Sequence, residues 1–221
     1  MISLVVVSAC TGTTEANRDD EAGVATVPAV TAAPEAAAAA RAAFEAYRDA
    51  LVAGDGATAV GLMTPASLDH VAGLQRMALE AGPVEISARP TADRLMIATL
   101  RVAVPPSVLR AGSATELLVY AVEAGLVGTN VAATTVHDVT VDAEVAVVAL
   151  SAATSPAPAG LRLVRHGGVW RVDLVDALDA AGAGLRELAR QLEVTEDDLI
   201  LELLTATAGR PVGPDVFTAP R

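Results

Sequence analysis

Lysine is absent from this sequence, cysteine occurs once, and aromatic residues make up only 2% of the chain. All 15 basic residues are therefore arginine, which excludes a P-loop lysine, a Schiff base and a Ser-x-x-Lys nucleophile. A single cysteine cannot form an intrachain disulfide. The net charge of -12 disfavours nucleic acid as a partner, because an acidic surface repels phosphate groups.

Long apolar runs are also missing, although 52% of the residues are hydrophobic. No stretch approaches the roughly 18 to 20 consecutive apolar residues that a membrane-spanning helix needs. Much of the apolar content is small Ala and Val, and it exceeds what a disordered chain carries. The 221 residues are enough for one domain with a full core and flanking tails.

The one cysteine follows a short apolar run at the start of the chain. Val7-Ser8-Ala9-Cys10 resembles a lipobox, the motif at which bacterial prolipoproteins are lipidated and cleaved. Small residues before the cysteine give the peptidase access to the backbone, and the thiol accepts the diacylglycerol. The resemblance implies that Cys10 is the lipidated first residue of the mature protein. No Lys or Arg precedes the apolar run, and the run is shorter than that of a usual signal peptide, so we expect residues 1–10 to be a truncated signal segment whose true start lies upstream. An ordinary N-terminal strand with a buried cysteine is the alternative.

The segment at residues 11–33 has no apolar periodicity and carries the charged stretch Arg18-Asp19-Asp20-Glu21. Such a segment cannot bury enough surface to offset the entropy lost on ordering. We therefore predict a disordered tether between an anchor and a domain. Together with the lipobox, the tether predicts an exported lipoprotein of the cell envelope, held to a membrane by its lipid.

Apolar spacing and capping signals divide the rest of the chain into helices and strands. The start at Pro34-Glu35, an apolar face that includes Phe44 and Tyr47, and the stop at Gly54 predict the first helix. Further helices are predicted at about residues 55–63, 64–81, 113–124, 176–192 and 195–208. Apolar segments predict strands at residues 84–88, 94–104, 132–141 and 144–152, with a loop at 155–158.

Gly167-Gly168 predicts a two-residue hairpin turn, because glycine readily adopts the positive φ values that this turn requires. Pairing outward from the turn places the pairs Leu163/Val172, Arg165/Trp170 and Leu161/Leu174 on one face. The pairs Arg162/Asp173 and Val164/Arg171 then share the other face. We expect the apolar face to pack against the core and the charged face to meet solvent.

These elements predict an α+β fold, in which a curved antiparallel sheet wraps around the N-terminal helix. Extra helices are expected after residue 105 and at the C-terminus. The folded domain is predicted to span residues 34–192, and residues 193–221 form a C-terminal helix and tail.

The opening helix with Phe44 and Tyr47, the Gly54-Asp55-Gly56 break and the hairpin at residues 161–173 resemble the nuclear-transport-factor-2-like superfamily. This cone-shaped fold is shared with ketosteroid isomerases, and the hairpin is typical of bacterial members of the superfamily, many of which are envelope lipoproteins. The resemblance covers about residues 34–175. It implies a pocket inside the cone, where enzymes of the superfamily place a carboxylate or a histidine for proton transfer.

Three residues are weak candidates for proton transfer in such a pocket. His137 and Asp138 are neighbours on a predicted strand, so only one of them can point inward. His70 follows Asp69 on the third predicted helix, where adjacent side chains diverge and cannot both face one pocket. A solvated helix face is the alternative for this pair, and His166 beside the hairpin turn is expected to be exposed.

Four aromatic residues are candidates for lining the pocket, with core packing as the alternative. They are Phe44, Tyr47, Tyr120 and Trp170. We predict no metal site, because the three histidines are far apart in sequence and Cys10 belongs to the anchor. We predict no cofactor, since Gly182-Ala183-Gly184 lacks the third glycine of a dinucleotide-binding loop.

These observations leave three functions open. The first is a non-catalytic envelope module that binds a small apolar ligand or an envelope protein, and the lack of an acid-base constellation favours it. The second is an isomerase or dehydratase of the cone type, with His137 or Asp138 as the base. The third is an accessory domain that docks on a larger membrane complex, which an exposed apolar patch on the final helix would indicate.

Overall fold

The computed structural model describes residues 32–128, 131–152 and 155–219. Within these ranges the chain forms an α+β fold, with seven helices before a four-stranded sheet and two after it. The helices are α1 (Ala32–Ala53), α2 (Gly56–Gly61), α3 (Pro65–Glu80), α4 (Pro83–Ser87), α5 (Thr91–Ala103), α6 (Pro106–Ala111), α7 (Ala114–Glu123), α8 (Leu174–Leu192) and α9 (Glu196–Ala208). Short 3-10 turns lie at Val131–Ala133 and Pro214–Phe217.

The sheet is an antiparallel meander in which each strand pairs with the next along the chain. Its strands are β1 (Thr134–Asp142), β2 (Val145–Ala152), β3 (Ser155–His166) and β4 (Val169–Val172). The outer edge of β4 is covered by the link between α2 and α3. There the Val172 N–H donates to the Leu62 carbonyl over 2.8 Å, and the Thr64 N–H donates to the Val172 carbonyl over 2.9 Å.

Helix α1 packs under the sheet, as the sequence predicted. Ala40, Phe44, Tyr47 and Leu51 recur at helical spacing and are all buried. The helix contacts β1, β2 and β4, so one apolar stripe reaches most of the sheet.

The hairpin at the double glycine has the predicted register near its turn. Leu163 pairs with Val172 and Arg165 with Trp170, and Leu163, Val172 and Trp170 are buried. The predicted pair of Leu161 and Leu174 is wrong, because β4 ends at Val172. The Asp173 carboxylate accepts a hydrogen bond from the Val175 N–H over 3.1 Å, and this N-cap begins α8 at Leu174.

Two predicted strands are helices instead. Residues 84–87 lie in α4, which is capped by Ala88, and residues 94–103 lie in α5, which is capped by Val104. In α5 the buried residues Arg94, Ile97, Ala98 and Leu100 follow helical spacing, although the continuous apolar run also fits a buried strand. The predicted loop at 155–158 belongs to β3, which begins at Ser155.

The predicted N-terminal anchor and most of the predicted tether lie outside the described residues. This applies to Cys10, to the lipobox and to residues 11–31, and α1 begins at Ala32, inside the predicted tether. Among the described helices, none combines the length and the apolar character needed to cross a bilayer.

Candidate functional site

The interior beneath the sheet is filled by the aromatic side chains that were candidates for lining a pocket. Phe44, Tyr47 and Trp170 are buried in the main apolar core, and Tyr120 is half-buried against it. Burial raises the pKa of the Tyr47 phenol, because the ionised form loses its hydration. None of the four lines either of the two surface depressions described below, so they act as core residues.

His137 and Asp138 lie at a β-bulge on β1. Val136 pairs with Leu150 and Val139 pairs with Val148, so two residues of β1 oppose one residue of β2. The bulge keeps both valines on the inner face and leaves both His137 and Asp138 exposed. The structure therefore brings neither candidate base into the interior.

The His137 side chain is engaged on the outer surface. Its Nε2 atom lies 2.7 Å from the Ser151 hydroxyl oxygen, and its backbone carbonyl accepts a hydrogen bond from the Arg41 side chain on α1. A sequence signal for the bulge exists in hindsight. Val136 and Val139 are three residues apart, which breaks the two-residue alternation of a regular strand.

His70, the third candidate, belongs to a buried ion-pair cluster. Its Nε2 atom lies 3.0 Å from Oδ1 of Asp93, whose residue is only 3% exposed. The other carboxylate oxygen of Asp93 accepts from Arg89 Nε over 3.1 Å. Asp69 points away and is exposed, as adjacent helical positions require.

A second group of ion pairs, next to the first on α5, reaches the start of α9. Arg94 donates to Asp197 Oδ1 over 2.6 Å and also to Glu196, which in turn accepts from the Thr91 hydroxyl. These contacts join the first turns of α5 and α9. Since the acidic side chains of both groups are paired with basic ones, the two groups tie helices together and offer no free base.

A groove runs between α5–α6 and the C-terminal segment, residues 210–219. Its volume is about 460 Å³ and it is open to solvent on one side. Apolar side chains form most of its walls: Leu79, Val102, Val104, Leu109, Val212 and Val216. A smaller depression of about 270 Å³ lies beside α4, and its one acidic side chain, Asp197, is already paired with Arg94.

Arg101 has a structural role in the groove, because its side chain binds the backbone on both sides of it. Its guanidinium donates to the carbonyls of Met77, Ala78 and Ala81 at the end of α3, over 3.0, 2.8 and 2.7 Å. It also donates to the carbonyls of Val216 and Thr218, over 2.9 and 3.0 Å. All five N–H donors of the side chain are thus used, and burial lowers its pKa because the cation is desolvated.

Two further arginines line the groove, and their side chains do not bind the backbone as Arg101 does. Arg110 and Arg210 are exposed, and neither makes a side-chain hydrogen bond or ion pair with any residue that the structure describes. Asp215 is the acidic residue among the lining side chains. Sequence reasoning missed this site, because the two arginines are 100 positions apart and α5 was predicted as a strand.

Comparison with known proteins finds no matching family model, curated protein or solved structure. The α+β class and the four-stranded antiparallel sheet follow from the structure itself. Function must therefore be argued from the geometry of the residues described above.

Proposed function

We propose that this chain is an exported lipoprotein, anchored to a membrane of the cell envelope through Cys10, whose folded part is a non-catalytic binding domain. One observation carries the binding role: the groove between α5–α6 and residues 210–219 is open and mostly apolar, and two of its lining arginines, Arg110 and Arg210, have no side-chain partner among the described residues. Concave, largely apolar sites with a few polar groups are the usual form of a small-molecule site.

The placement of the titratable groups supports binding rather than catalysis. His137 and Asp138 are exposed on the sheet, and His70 is paired with Asp93 inside the ion-pair cluster. A base for proton abstraction must lie within hydrogen-bond reach of a bound substrate, and none of these residues lines the groove. No observation favours the isomerase alternative.

The docking-domain alternative also lacks a supporting surface. Among the described residues, the large hydrophobic side chains that are exposed are scattered over several elements: Val52, Val84, Val147, Val169 and Leu192. An exposed apolar patch on α9 would have indicated docking, but the apolar residues of α9 are buried or half-buried, including Leu199 and Ile200.

The cone architecture is part of this proposal. A sheet that buries one face on α1 while its fourth strand is closed by the α2–α3 link is the arrangement expected of a cone. In this chain the interior is occupied by Phe44, Tyr47 and Trp170. Binding is therefore assigned to the groove outside the sheet.

The anchor is tested by Cys10→Ala in the full-length precursor, with Ser8→Ala as the matched control. We expect the first variant to leave the membrane fraction and to lose incorporation of labelled fatty acid. The second variant keeps a small residue before the cysteine and should stay lipidated. Membrane retention and labelling of the Cys10→Ala protein would refute the lipid anchor.

The binding role is tested by protein-observed NMR with a set of anionic, neutral and cationic fragments. We expect fragment-induced shifts to cluster on Val102, Leu109 and Val212. Val102→Trp should fill the groove and abolish these shifts, whereas Val52→Trp on the exposed side of α1 should not. Shifts that map elsewhere, or that survive Val102→Trp, would remove the groove as the site.

A further inference from the structure

We infer that the groove takes an amphipathic organic carboxylate, with the carboxylate group between Arg110 and Arg210 and the apolar body against the valine and leucine walls. This inference rests on the proposed binding role and specifies its ligand class. It is carried by the charge, the construction and the lining of the groove, which are independent observations on the same site.

The charge of the groove has the opposite sign to that of the whole chain. Arg101, Arg110 and Arg210 line it together with one acid, Asp215, in a chain whose net charge is -12. The charge of Arg101 is surrounded by neutral carbonyls and is not cancelled by a carboxylate. A concave site with uncompensated positive charge and apolar walls attracts anions.

The two free arginines are suited to a carboxylate. A guanidinium presents N–H donors in a planar fork that matches the two oxygens of a carboxylate. Of the three arginines that line the groove, Arg101 uses all five donors on backbone carbonyls, whereas Arg110 and Arg210 donate to none of the described residues.

The backbone that carries these two arginines is held in place. Gln75, from α3, donates to the carbonyls of Leu109 and Gly112 over 2.9 and 2.7 Å and so fixes the end of α6 around Arg110. Arg210 follows Gly209, which ends α9 in the left-handed conformation with φ of 64°. The Val212 N–H then donates to the Thr205 hydroxyl over 3.0 Å. A pre-formed site needs little ordering when the ligand binds.

The apolar side chains of the groove walls indicate that the rest of the ligand is apolar. Val104 and Leu109 are buried residues that line the groove from the α5–α6 side, and Val212 and Val216 line it from the C-terminal segment. The volume of about 460 Å³ lies in the lower part of the range for small-molecule sites, roughly 300–1,000 Å³. A single acyl chain of moderate length can be accommodated in this volume and would place its apolar body against these walls.

The test uses sodium octanoate as the probe, with octanamide and octylammonium as neutral and cationic analogues of the same chain length. Affinities are measured on the full chain by NMR titration. We expect octanoate to shift the groove resonances, octanamide to bind at least about five-fold more weakly, and octylammonium more weakly still. Added salt should weaken octanoate binding and leave octanamide binding unchanged.

Three substitutions test which residues are responsible for the preference for a carboxylate. Arg110→Gln and Arg210→Gln should each weaken octanoate binding about five-fold without changing the affinity for octanamide. Asp215→Asn should tighten octanoate binding, since it removes the one repelling carboxylate. Arg186→Gln on α8, an exposed arginine outside the groove, should have no effect.

The outcomes separate this inference from the binding role itself. If octanamide binds the groove as tightly as octanoate, or if the two Gln variants do not change octanoate affinity, the carboxylate assignment is overturned while the binding role stands. Failure of octanoate to bind at all, when other fragments occupy the groove, also overturns it. If no fragment of any charge occupies the groove, both proposals fail.

Discussion

At the scale of single residues, the backbones of α2 and α7 come so close together at Gly56 that no side chain fits between them. Gly56, at the start of α2, faces α7 so closely that a β-carbon there would lie 2.6 Å from the Val119 carbonyl oxygen and 2.7 Å from its Cα atom. Backbone atoms cannot yield as a side chain can. The contact between α2 and α7 therefore depends on glycine at this position.

We predict that Gly56→Ala lowers the free energy of unfolding by about 2 kcal/mol, because α2 and α7 must separate to admit the methyl group. Gly73→Ala is the matched control. Gly73 lies inside α3 and a β-carbon there would meet no atom within 4 Å. This control should stabilise the protein by about 0.5–1 kcal/mol, since alanine is the better helix former. Urea unfolding of the two variants checks both signs, and equal effects would show that the contact imposes no strain.

Individual residues also show the limit of pattern reading. The burial of Phe44, Leu163, Trp170 and Val172 followed from helical spacing and from pairing outward from a glycine turn. The exposure of both His137 and Asp138 was not predicted, because one extra residue on β1 changes the sheet face on which every later side chain lies. An inserted residue alters the geometry without altering the composition.

At the scale of elements, the start of α7 is held by a reciprocal cap. The Ser113 N–H donates to Glu116 Oε2 over 2.7 Å, and the Ser113 hydroxyl oxygen accepts from the Glu116 N–H. The backbone hydrogen bond from Ser113, with the hydroxyl contact adding to it, lowers the pKa of Glu116 below its usual value. The cap is therefore strongest when this carboxyl group is ionised.

The lowered pKa gives the cap a defined pH dependence. A carboxyl group whose pKa is lower in the folded state stabilises the fold above its unfolded pKa, and this contribution is lost as the pH falls through the folded pKa. We predict that Glu116→Ala lowers the melting temperature at pH 7 and that the difference from wild type shrinks below about pH 4. Glu123→Ala, at the other end of α7, should show no such loss. A constant difference at all pH values would rule out the ionised cap.

Arg101 is the element-scale contact on which the groove depends. We predict that Arg101→Met lowers the free energy of unfolding by about 2 kcal/mol or more, because a charged donor with five carbonyl partners is lost. Arg101→Lys should recover only part of this, since an ammonium has three donors and no planar fork.

Local amide hydrogen exchange distinguishes this role of Arg101 from a general contribution to stability. Both Arg101 variants should speed amide exchange in residues 212–219, which the guanidinium holds against α5 and the end of α3. Arg76→Met is the control, because Arg76 is an exposed arginine on α3 that makes no side-chain hydrogen bond with the described residues. Unchanged exchange in the C-terminal segment would mean that other contacts hold the groove wall.

The same segment shows why the groove escaped prediction. Helix α5 carries Ile97, Ala98 and Leu100 at spacings that fit both a helix and a buried strand, and pattern alone does not separate the two. The tail after Gly209 has too few apolar residues to predict its packing. In the structure α5 packs against α3, α8 and α9, and Arg101 joins it to the end of α3 and to the tail. These contacts are between segments distant in sequence, so a local pattern does not contain them.

At the scale of the whole molecule, one apolar core joins the sheet to the helices. It runs from Ala40 and Phe44 on α1, through Leu163 and Trp170 in the sheet, to Phe217 beside α5. A second, smaller cluster packs α8 against α9 around Leu185 and Leu199. The continuity of the larger core predicts that sheet and helices unfold together.

The single tryptophan makes this cooperativity measurable. Trp170 lies in β4 and is 5% exposed, so its fluorescence reports on the sheet, whereas far-ultraviolet circular dichroism reports mainly on the helices. We predict coincident denaturation midpoints from the two signals. Phe44→Ala should lower both by the same amount, with a loss of about 3 kcal/mol, because it opens a cavity where α1 meets the sheet. Val52→Ala, at an exposed site on the same helix, should leave both unchanged. If the tryptophan signal moved alone in Phe44→Ala, the sheet and the helical layer would be separate folding units.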